Sequence, residues 1–362
     1  MRSEKDLPEV YRLDLSEVVL ALKVSGLKDV SLFPWVDAPS VELLENAEKL
    51  LRDLGAVHHG SGDITEMGKQ MLAFPLHPRY ARMMLAADHY GCVPSVALMI
   101  ALTQGRGIFL RKVDKKTEQR RDDVLGIDDR SDFTRMISAW NYAKQARFSV
   151  DVCRELGIHA QASRQAARVF EQFLGIAQKK GLSTLVDLVE GDELGKCLLS
   201  GFSDQLALRI DKGTLRCSIV HGRRGNISKS SVVQKSPLLV VAEISEIEGK
   251  KGEVATVLSM CSEVNESWLQ ELFPEEFRED LIVSLDSSGK RVVERKRRLF
   301  RDLILEDKVS EVESDDAAAE ILAEEIVKGR CKLPAWDKSV EQWIHRVNCF
   351  HFLFPEFEVA SI

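Results

Sequence analysis

Apolar residues recur at helical spacing through most of the first half of the chain. Leu15, Val18, Val19 and Leu22 make one stripe, opened by Asp14-Leu15-Ser16-Glu17 with capping-box spacing and closed by Gly26. After Phe33-Pro34-Trp35, the turn at 37–40 opens a second helix with Leu43, Leu44, Ala47, Leu50, Leu51 and Leu54 on one face. Residues 56–64 then read as two short strands around a glycine turn, which completes the helices-plus-hairpin pattern of a winged helix. Thr65 caps a short helix carrying Met67, Met71 and Phe74, and Pro75-Leu76-His77-Pro78 stops it, because proline lacks an N–H and restricts its predecessor. Pro78 suits the first turn of the next helix, where Tyr80, Met83, Met84 and Ala87 form a stripe flanked by Arg79 and Arg82.

Helical patterning continues to about Gly191, with a small apolar run over 86–103 that should be a buried helix. Ser131-Asp132 starts a helix holding Phe133, Ile137, Trp140 and Ala143, and 163–174 turns Val169, Phe170 and Phe173 inward. Between them, 106–130 is so mixed in charge that it reads as a solvated, mobile arm. From Gly195 the alternation becomes strand-like over 206–210, 214–220, 238–244 and 253–260, with an inserted helix over 267–277 and a hairpin turning at Asp286-Ser287-Ser288-Gly289. Five or six short antiparallel strands of this kind predict an OB-like barrel. His221-Gly222-Arg223-Arg224-Gly225-Asn226 reads as a glycine-flanked basic turn, with Arg209 upstream. Arg291, Arg295, Lys296, Arg297, Arg298 and Arg301 form the densest basic patch, suited either to blunting a sheet edge or to touching phosphate. Glu306, Asp307, Glu311, Glu313, Asp315 and Asp316 read as an acidic linker that screens it, and a short helical unit with Ile321, Leu322, Ile326, Val340, Trp343, Ile344, Val347 and Phe350 closes the chain.

Composition changes this picture in two ways. The chain has 362 residues, 44% of them hydrophobic and 30% charged, enough for two or more domains. No apolar run approaches the ~20 residues of a membrane span, no signal-peptide core follows Met1, and seven scattered cysteines suit a reducing cytosol; a cytoplasmic location is expected. The net charge of −7 excludes a protein that coats nucleic acid by bulk charge, so any such binding must use local patches. The exposed face of the second helix, with Glu42, Glu45, Glu48 and Asp53 against Lys49 and Arg52, repels phosphate; the winged helix therefore reads as a packing adaptor rather than a groove reader.

Candidate chemistry is sparse. There is no G-x-x-x-x-G-K-[ST] loop, no Asp-Glu-Ala-His box and no nucleophile motif. Gly105-Arg106-Gly107 is a turn rather than a dinucleotide fingerprint, and Cys331, His345, Cys349 and His351 lack the C-x-x-C pair that would support zinc. No catalytic residue, metal ligand or cofactor site is expected.

Three stretches resemble one family. Ile64, Thr65, Gly68 and Met71, followed by Pro75, Leu76, Pro78, Arg79, Ala81, Met84 and Leu85, are similar to the start of the ratchet domain in DEAH-box helicases. Pro8-Glu9, Leu13-Asp14-Leu15-Ser16, Gly26, the run 33–39 and Leu54-Gly55-Ala56 resemble the segment that follows the second motor lobe in that family. The run 198–202 with Asp204 and Ala207, the arginine-rich strand, and Leu333 to Val347 resemble the C-terminal region of HrpB-type bacterial DEAH-box helicases. Here Ser203 and Gln205 replace an expected Pro and Arg, and Ala335 is inserted between Pro334 and Trp336.

The resemblance implies a multidomain α+β protein without RecA-like motor lobes: a winged helix over 1–64, a helical ratchet bundle over 65–194, an OB-like antiparallel β-barrel over 195–306, and an acidic linker with a short helical C-terminal tail over 307–362. It implies a parent ATP-dependent helicase whose ATP and Mg sites lie in the missing lobes, so this chain alone should not hydrolyse ATP. The implied partners are single-stranded RNA or DNA and the RecA-like motor lobes, with no membrane. The arginines expected to grip phosphate are Arg79, Arg82, Arg106, Arg209, Arg223, Arg224, Arg295 and Arg297. The alternative is a protein-interaction module that docks through the acidic winged helix and Trp336/Trp343, without touching nucleic acid.

Overall fold

In the computed structural model, residues 14–126, 128–185, 188, 191–248, 254–286, 291–312, 315–328 and 337–357 are described. Pro8-Glu9, Ser287 to Gly289, Glu313, Cys331 and the Leu333 to Trp336 run lie outside them. The chain divides into two compact units, Met1–Glu275 and Glu276–Ile362.

The first unit opens with α1 (Ser16–Val24) and α2 (Val41–Asp53), which pack through Val19, Leu20, Leu44, Leu50 and Leu51. Ser40 caps α2 by accepting from the Leu43 N–H. The start of α1 departs from the expected capping box: the Asp14 carboxylate accepts from the Ser16 N–H at 2.8 Å, a tighter local turn. The expected hairpin over 56–64 shrinks to a single antiparallel bridge, Val57 to Ile64. The turn between them, His58 to Asp63, carries no apolar residue to extend the ladder.

Thr65 caps α3 (Glu66–Leu72) as its position predicts, accepting from the Gly68 N–H at 3.0 Å and donating to the Gly55 carbonyl at 2.6 Å. Pro78 is the first residue of α4 (Pro78–His89). All ten residues from Val93 to Leu102 of α5 (Val93–Thr103) are buried, so this helix is the axis on which the bundle is built. Around it pack α4, α7 (Asp132–Gln145), α9 (Ala160–Lys179) and α10 (Asp192–Phe202). Trp140 anchors α7 to α9, donating its indole N–H to the Ser163 carbonyl at 3.0 Å.

The stretch expected to be a mobile arm is ordered. Phe109 bridges to Ile158, the Leu110 N–H donates to the Gly157 carbonyl, and Asp114 caps α6 (Lys115–Leu125) by accepting from the Thr117 N–H at 2.7 Å. The short α8 (Val150–Glu155) runs beside it. Gly157 makes that close approach feasible: a Cβ there would stand 2.8 Å from Val113, and its φ of +66° is one that side chains rarely adopt. Of the mixed charges that suggested a solvated loop, Lys115, Lys116, Glu118, Arg120 and Asp123 lie on the outer faces of a capped helix, while Arg121 turns inward.

Five strands then close a barrel in the order β1-β2-β3-β5-β4: β1 (Leu206–Arg209), β2 (Arg216–Ile219), β3 (Arg223–Ile227), β4 (Leu238–Glu248) and β5 (Val254–Glu263). Ala207, Cys217, Ile219, Ile227, Leu239, Val241 and Leu258 fill it. Two expectations need correction. The basic turn is confined to His221-Gly222, and Arg223–Ile227 is a strand whose Gly225 and Ile227 point inward. The barrel is also not wholly antiparallel, because β3 meets β5 in parallel at Asn226 to Val257 and Ile227 to Leu258. The helix expected over 267–277 is the shorter α11 (Glu266–Leu272).

The second unit is an antiparallel sheet in the order β6 (Phe277–Leu285), β7 (Val292–Phe300), β8 (Leu303–Glu311), followed by α12 (Asp315–Val327) and α13 (Lys338–Leu353). The arginine-rich strand therefore belongs to this sheet and not to the barrel. Glu306 and Asp307 are not linker residues: β8 pairs with β7, with a register shift between Arg298 and Leu299, placing Arg297 opposite Asp307 and Arg298 opposite Glu306. Opposite charges facing across a ladder stabilise the pairing that a linker would lack.

Candidate functional site

Two polar clamps and one cleft organise the first unit. The first clamp gathers residues from α2, α4, the start of α1 and the approach to the barrel. Arg79 on α4 makes a bidentate pair with Asp204, at 2.5 and 2.9 Å, and donates a third bond to the Gly201 carbonyl at 3.0 Å. Its guanidinium lies 5.0 Å from the Phe202 ring centroid. Burial works against the Arg79 charge, but the Asp204 carboxylate outweighs it and raises the Arg79 pKa. Gly201 has no side chain because a Cβ would come within 2.8 Å of the Arg79 carbonyl. Arg223 joins the same clamp, donating to the Asp204 carbonyl at 2.6 Å. His221 contacts the Asp53 carboxylate at 2.7 Å, and the Ser203 hydroxyl donates to the Asp53 carbonyl at 3.2 Å. His77 reaches Asp14 at 3.1 Å. Burial pushes the Asp14 carboxyl up, yet hydrogen bonds from His77 and Ser16 prevail and hold it well below the usual carboxylate range.

The second clamp joins α7 to the barrel. Asp132 accepts from the Ser231 hydroxyl at 2.7 Å and from the Val232 and Cys261 N–H groups at 2.8 Å each. Burial pushes the Asp132 pKa up, against these three donors. Beside it the Ser131 and Ser262 hydroxyls meet at 2.6 Å, and the Glu263 N–H donates to the Arg130 carbonyl.

Between the helical bundle and the barrel lies a cleft of about 740 Å³. Its bundle wall includes Tyr80, Arg106, Phe109, Arg111, Arg121 and Arg135, and its barrel wall includes Ser228, Ser230, Glu243 and Met260. Arg121 and Arg135 both approach the Phe109 ring, at 5.0 and 5.9 Å from its centroid. Arg135 is ion-paired with Asp122. Arg106 and Arg111 are exposed.

The eight arginines expected from sequence do not converge on one surface. Arg79 and Arg223 are committed to the first clamp. Arg209 on β1 donates to the Ser236 carbonyl at 3.1 Å and to the Thr214 carbonyl. Arg82 on α4 is mostly buried, its Nε lacks a hydrogen-bond partner, and burial pulls its pKa down. Arg224 is exposed on β3, and Arg106 lines the cleft. Arg295 and Arg297 share Asp307 in the second unit, with Arg295 bidentate at 2.7 and 2.6 Å. The residues that sequence reasoning passed over are Arg111, Arg121 and Arg135. Asp114 with Thr117, the pair that caps α6, was the available signal for Arg121, since an ordered α6 fixes its position.

Comparison with known proteins fits this architecture. Residues 47–76 match the family model described as helicase associated domain (HA2), winged-helix, and residues 77–157 match helicase associated domain (HA2), ratchet-like. The junction falls in the proline stop between α3 and α4. The ATP-dependent RNA helicase HrpA of Escherichia coli (strain K12) is 25% identical over 266 residues, which is 70% of this chain and 20% of HrpA. The HrpA homolog of Haemophilus influenzae is 24% identical over 308 residues, 81% of this chain and 23% of that protein. The chain thus spans 20–23% of the length of these curated relatives. The crystal structure of the E. coli DExH-box NTPase HrpB superposes with a TM-score of 0.57 at 16% identity, covering 99% of this chain and 38% of that one, a likeness of fold. No helix among the described residues is long and apolar enough to cross a membrane.

Proposed function

We propose, from the premise that this chain carries the winged-helix and ratchet-like helicase-associated domains of an HrpA/HrpB-type DEAH-box helicase, that it is the accessory region of an ATP-dependent RNA helicase. In this reading it forms the roof of a single-strand channel and grips the strand by its phosphates, while RecA-like motor lobes supply ATP and Mg chemistry. The observation that carries the reading is the cleft between bundle and barrel, with Arg106 and Arg111 exposed along one wall and serine hydroxyls along the other. A few arginines in a protein of net charge −7 suit a grip that is made and released with each step better than tight storage.

The test is fluorescence anisotropy of a labelled single-stranded RNA at two salt concentrations, with the Arg106→Glu/Arg111→Glu variant beside the unmodified chain. Binding that weakens steeply with salt, and by about tenfold or more in the variant, is expected, since each lost phosphate contact lowers the salt slope by about 0.7. Binding that the variant leaves unchanged would sink this placement of the strand.

A second reading is supported by the second unit. α13 has no buried residue, and Trp343 and Phe350, seven residues apart and so on one face, are 57% and 40% exposed. An apolar helix face of this kind suits protein docking, which added salt would not weaken.

A further inference from the structure

Removing a guanidinium from water without supplying an anion is strongly unfavourable even after the surroundings relax. Arg121 is in that position. It is only 8% exposed, its Nε has no hydrogen-bond partner, and no carboxylate among the described residues pairs with it. Its one close partner is the Phe109 ring, which covers the guanidinium without neutralising it. The nearest other cation is Arg135, whose own fork is held by Asp122. Burial first, and the Arg135 charge second, disfavour the charged form of Arg121, with Asp122 and Glu118 opposing them. The buried Arg79 has the Asp204 carboxylate, and Arg209 has the Ser236 and Thr214 carbonyls. Arg121 instead lines the cleft with a vacant fork.

We propose that Arg121, with Arg106 and the Tyr80 hydroxyl on the same cleft wall, forms an anion subsite at the cleft floor that takes a phosphoryl group. The chemistry of the donors supports this choice. A planar fork matches two phosphate oxygens, and the Tyr80 hydroxyl, 3.1 Å from the Thr103 hydroxyl whose own proton goes to the Ile100 carbonyl, can turn its proton to a bound anion. Phe109 keeps water from the guanidinium, so the charge stays poorly solvated until the anion arrives and the bond formed then is strong. The cleft is far larger than one phosphate ion, so the group enters as part of a longer ligand; as a phosphodiester it rests on the strand-path reading above, while free phosphate is the other source of the same chemistry.

The test uses the full chain at fixed ionic strength. In the first arm, thermal unfolding is followed in sodium phosphate and in sodium chloride. Phosphate should raise the midpoint of the unmodified protein by a few degrees and leave that of Arg121→Gln unmoved, whereas Arg121→Lys should keep part of the response. In chloride, Arg121→Gln should unfold no lower than the unmodified protein, because an uncompensated buried charge has gone. An Arg121→Gln chain that unfolds earlier in chloride, fails to fold, or responds fully to phosphate would overturn the proposal. In the second arm, single-stranded RNA binding is compared by anisotropy. A drop of about tenfold in Arg121→Gln makes the anion a strand phosphate. Strand binding untouched by Arg121→Gln, with the phosphate response lost, assigns the subsite to free phosphate. A chain that binds no strand yet keeps the Arg121-dependent phosphate response supports the subsite and overturns the strand path.

Discussion

Replacing Arg79 by Ala tests whether the most deeply committed arginine is a bolt or a grip. Its side chain is 13% exposed and that of Asp204 is 8% exposed, so the pair is largely shielded from water. Truncation removes two bonds to the carboxylate, one to the Gly201 carbonyl and the contact with Phe202. Arg223 stays nearby, with its Nη2 3.8 Å from the carboxylate and its side chain 41% exposed. Breaking one half of a buried pair leaves the other half uncompensated and costs about 3–5 kcal/mol. The partial exposure of Arg223 lets water reach the site and places the expectation near 3 kcal/mol. The assay is urea unfolding followed by far-ultraviolet circular dichroism and by fluorescence, with Trp140 reporting on the first unit. With a slope of about 2–3 kcal/mol per molar urea, the first-unit midpoint should fall by roughly 1 M or more. An Arg79→Ala/Asp204→Ala double variant should recover part of that loss, because no orphaned charge remains. Anisotropy on the same samples, under conditions where the variant is still folded, should show RNA binding changed less than threefold. A midpoint that hardly moves, together with a large loss of RNA binding, would refute the bolt.

Two further expectations follow from the same clamps. The Asp14 carboxyl has its pKa lowered in the folded state, so its contribution is complete above the unfolded value near 4 and is lost as pH falls toward the folded value; Asp14→Asn should flatten acid destabilisation below about pH 4, checked by urea midpoints across that range. Asp132→Ala strands the Ser231 hydroxyl and the Val232 and Cys261 N–H groups, and should cost about 2–4 kcal/mol; hydrogen exchange at Val232 and Cys261 should speed up before exchange in α5, and uniform acceleration would contradict a local clamp.

Local signals were legible where one residue decides the outcome. Thr65, Pro78 and Ser131 mark helix starts because each acts on backbone a few residues away, and the structure places all three at their expected positions. Other features depended on partners far along the chain. Arg79 and Asp204 are separated by 125 residues, and nothing in either neighbourhood advertises the pairing. The strand Arg223–Ile227 was hidden because only Gly225 and Ile227 face inward, too short an alternation to outweigh the flanking glycine and charge. Glu306 and Asp307 looked like linker because their stabilising partners, Arg298, Arg295 and Arg297, lie across a ladder rather than nearby in sequence. Arg121 was overlooked for a related reason, since charge density along 106–130 says nothing about which single charge faces inward.

The Asp132 clamp also bears on the order in which the protein acquires its structure during synthesis. Asp132 is made 99 residues before Ser231 and 129 before Cys261. At ribosomal speeds of about 5–20 residues per second, the helices wait several seconds for the strands that satisfy this carboxylate. Through that interval the start of α7 keeps its acceptor toward water, and the bundle is held by α5 and its neighbours alone. Arrival of the 231–232 segment supplies the first two donors, and β5 supplies the third while closing the ring against β3 through two residue pairs. The last strand of the barrel therefore completes the α7 clamp, which the earlier-made Arg79–Asp204 pair cannot supply, and a nascent chain stalled before it exposes both an open sheet edge and an unmet carboxylate.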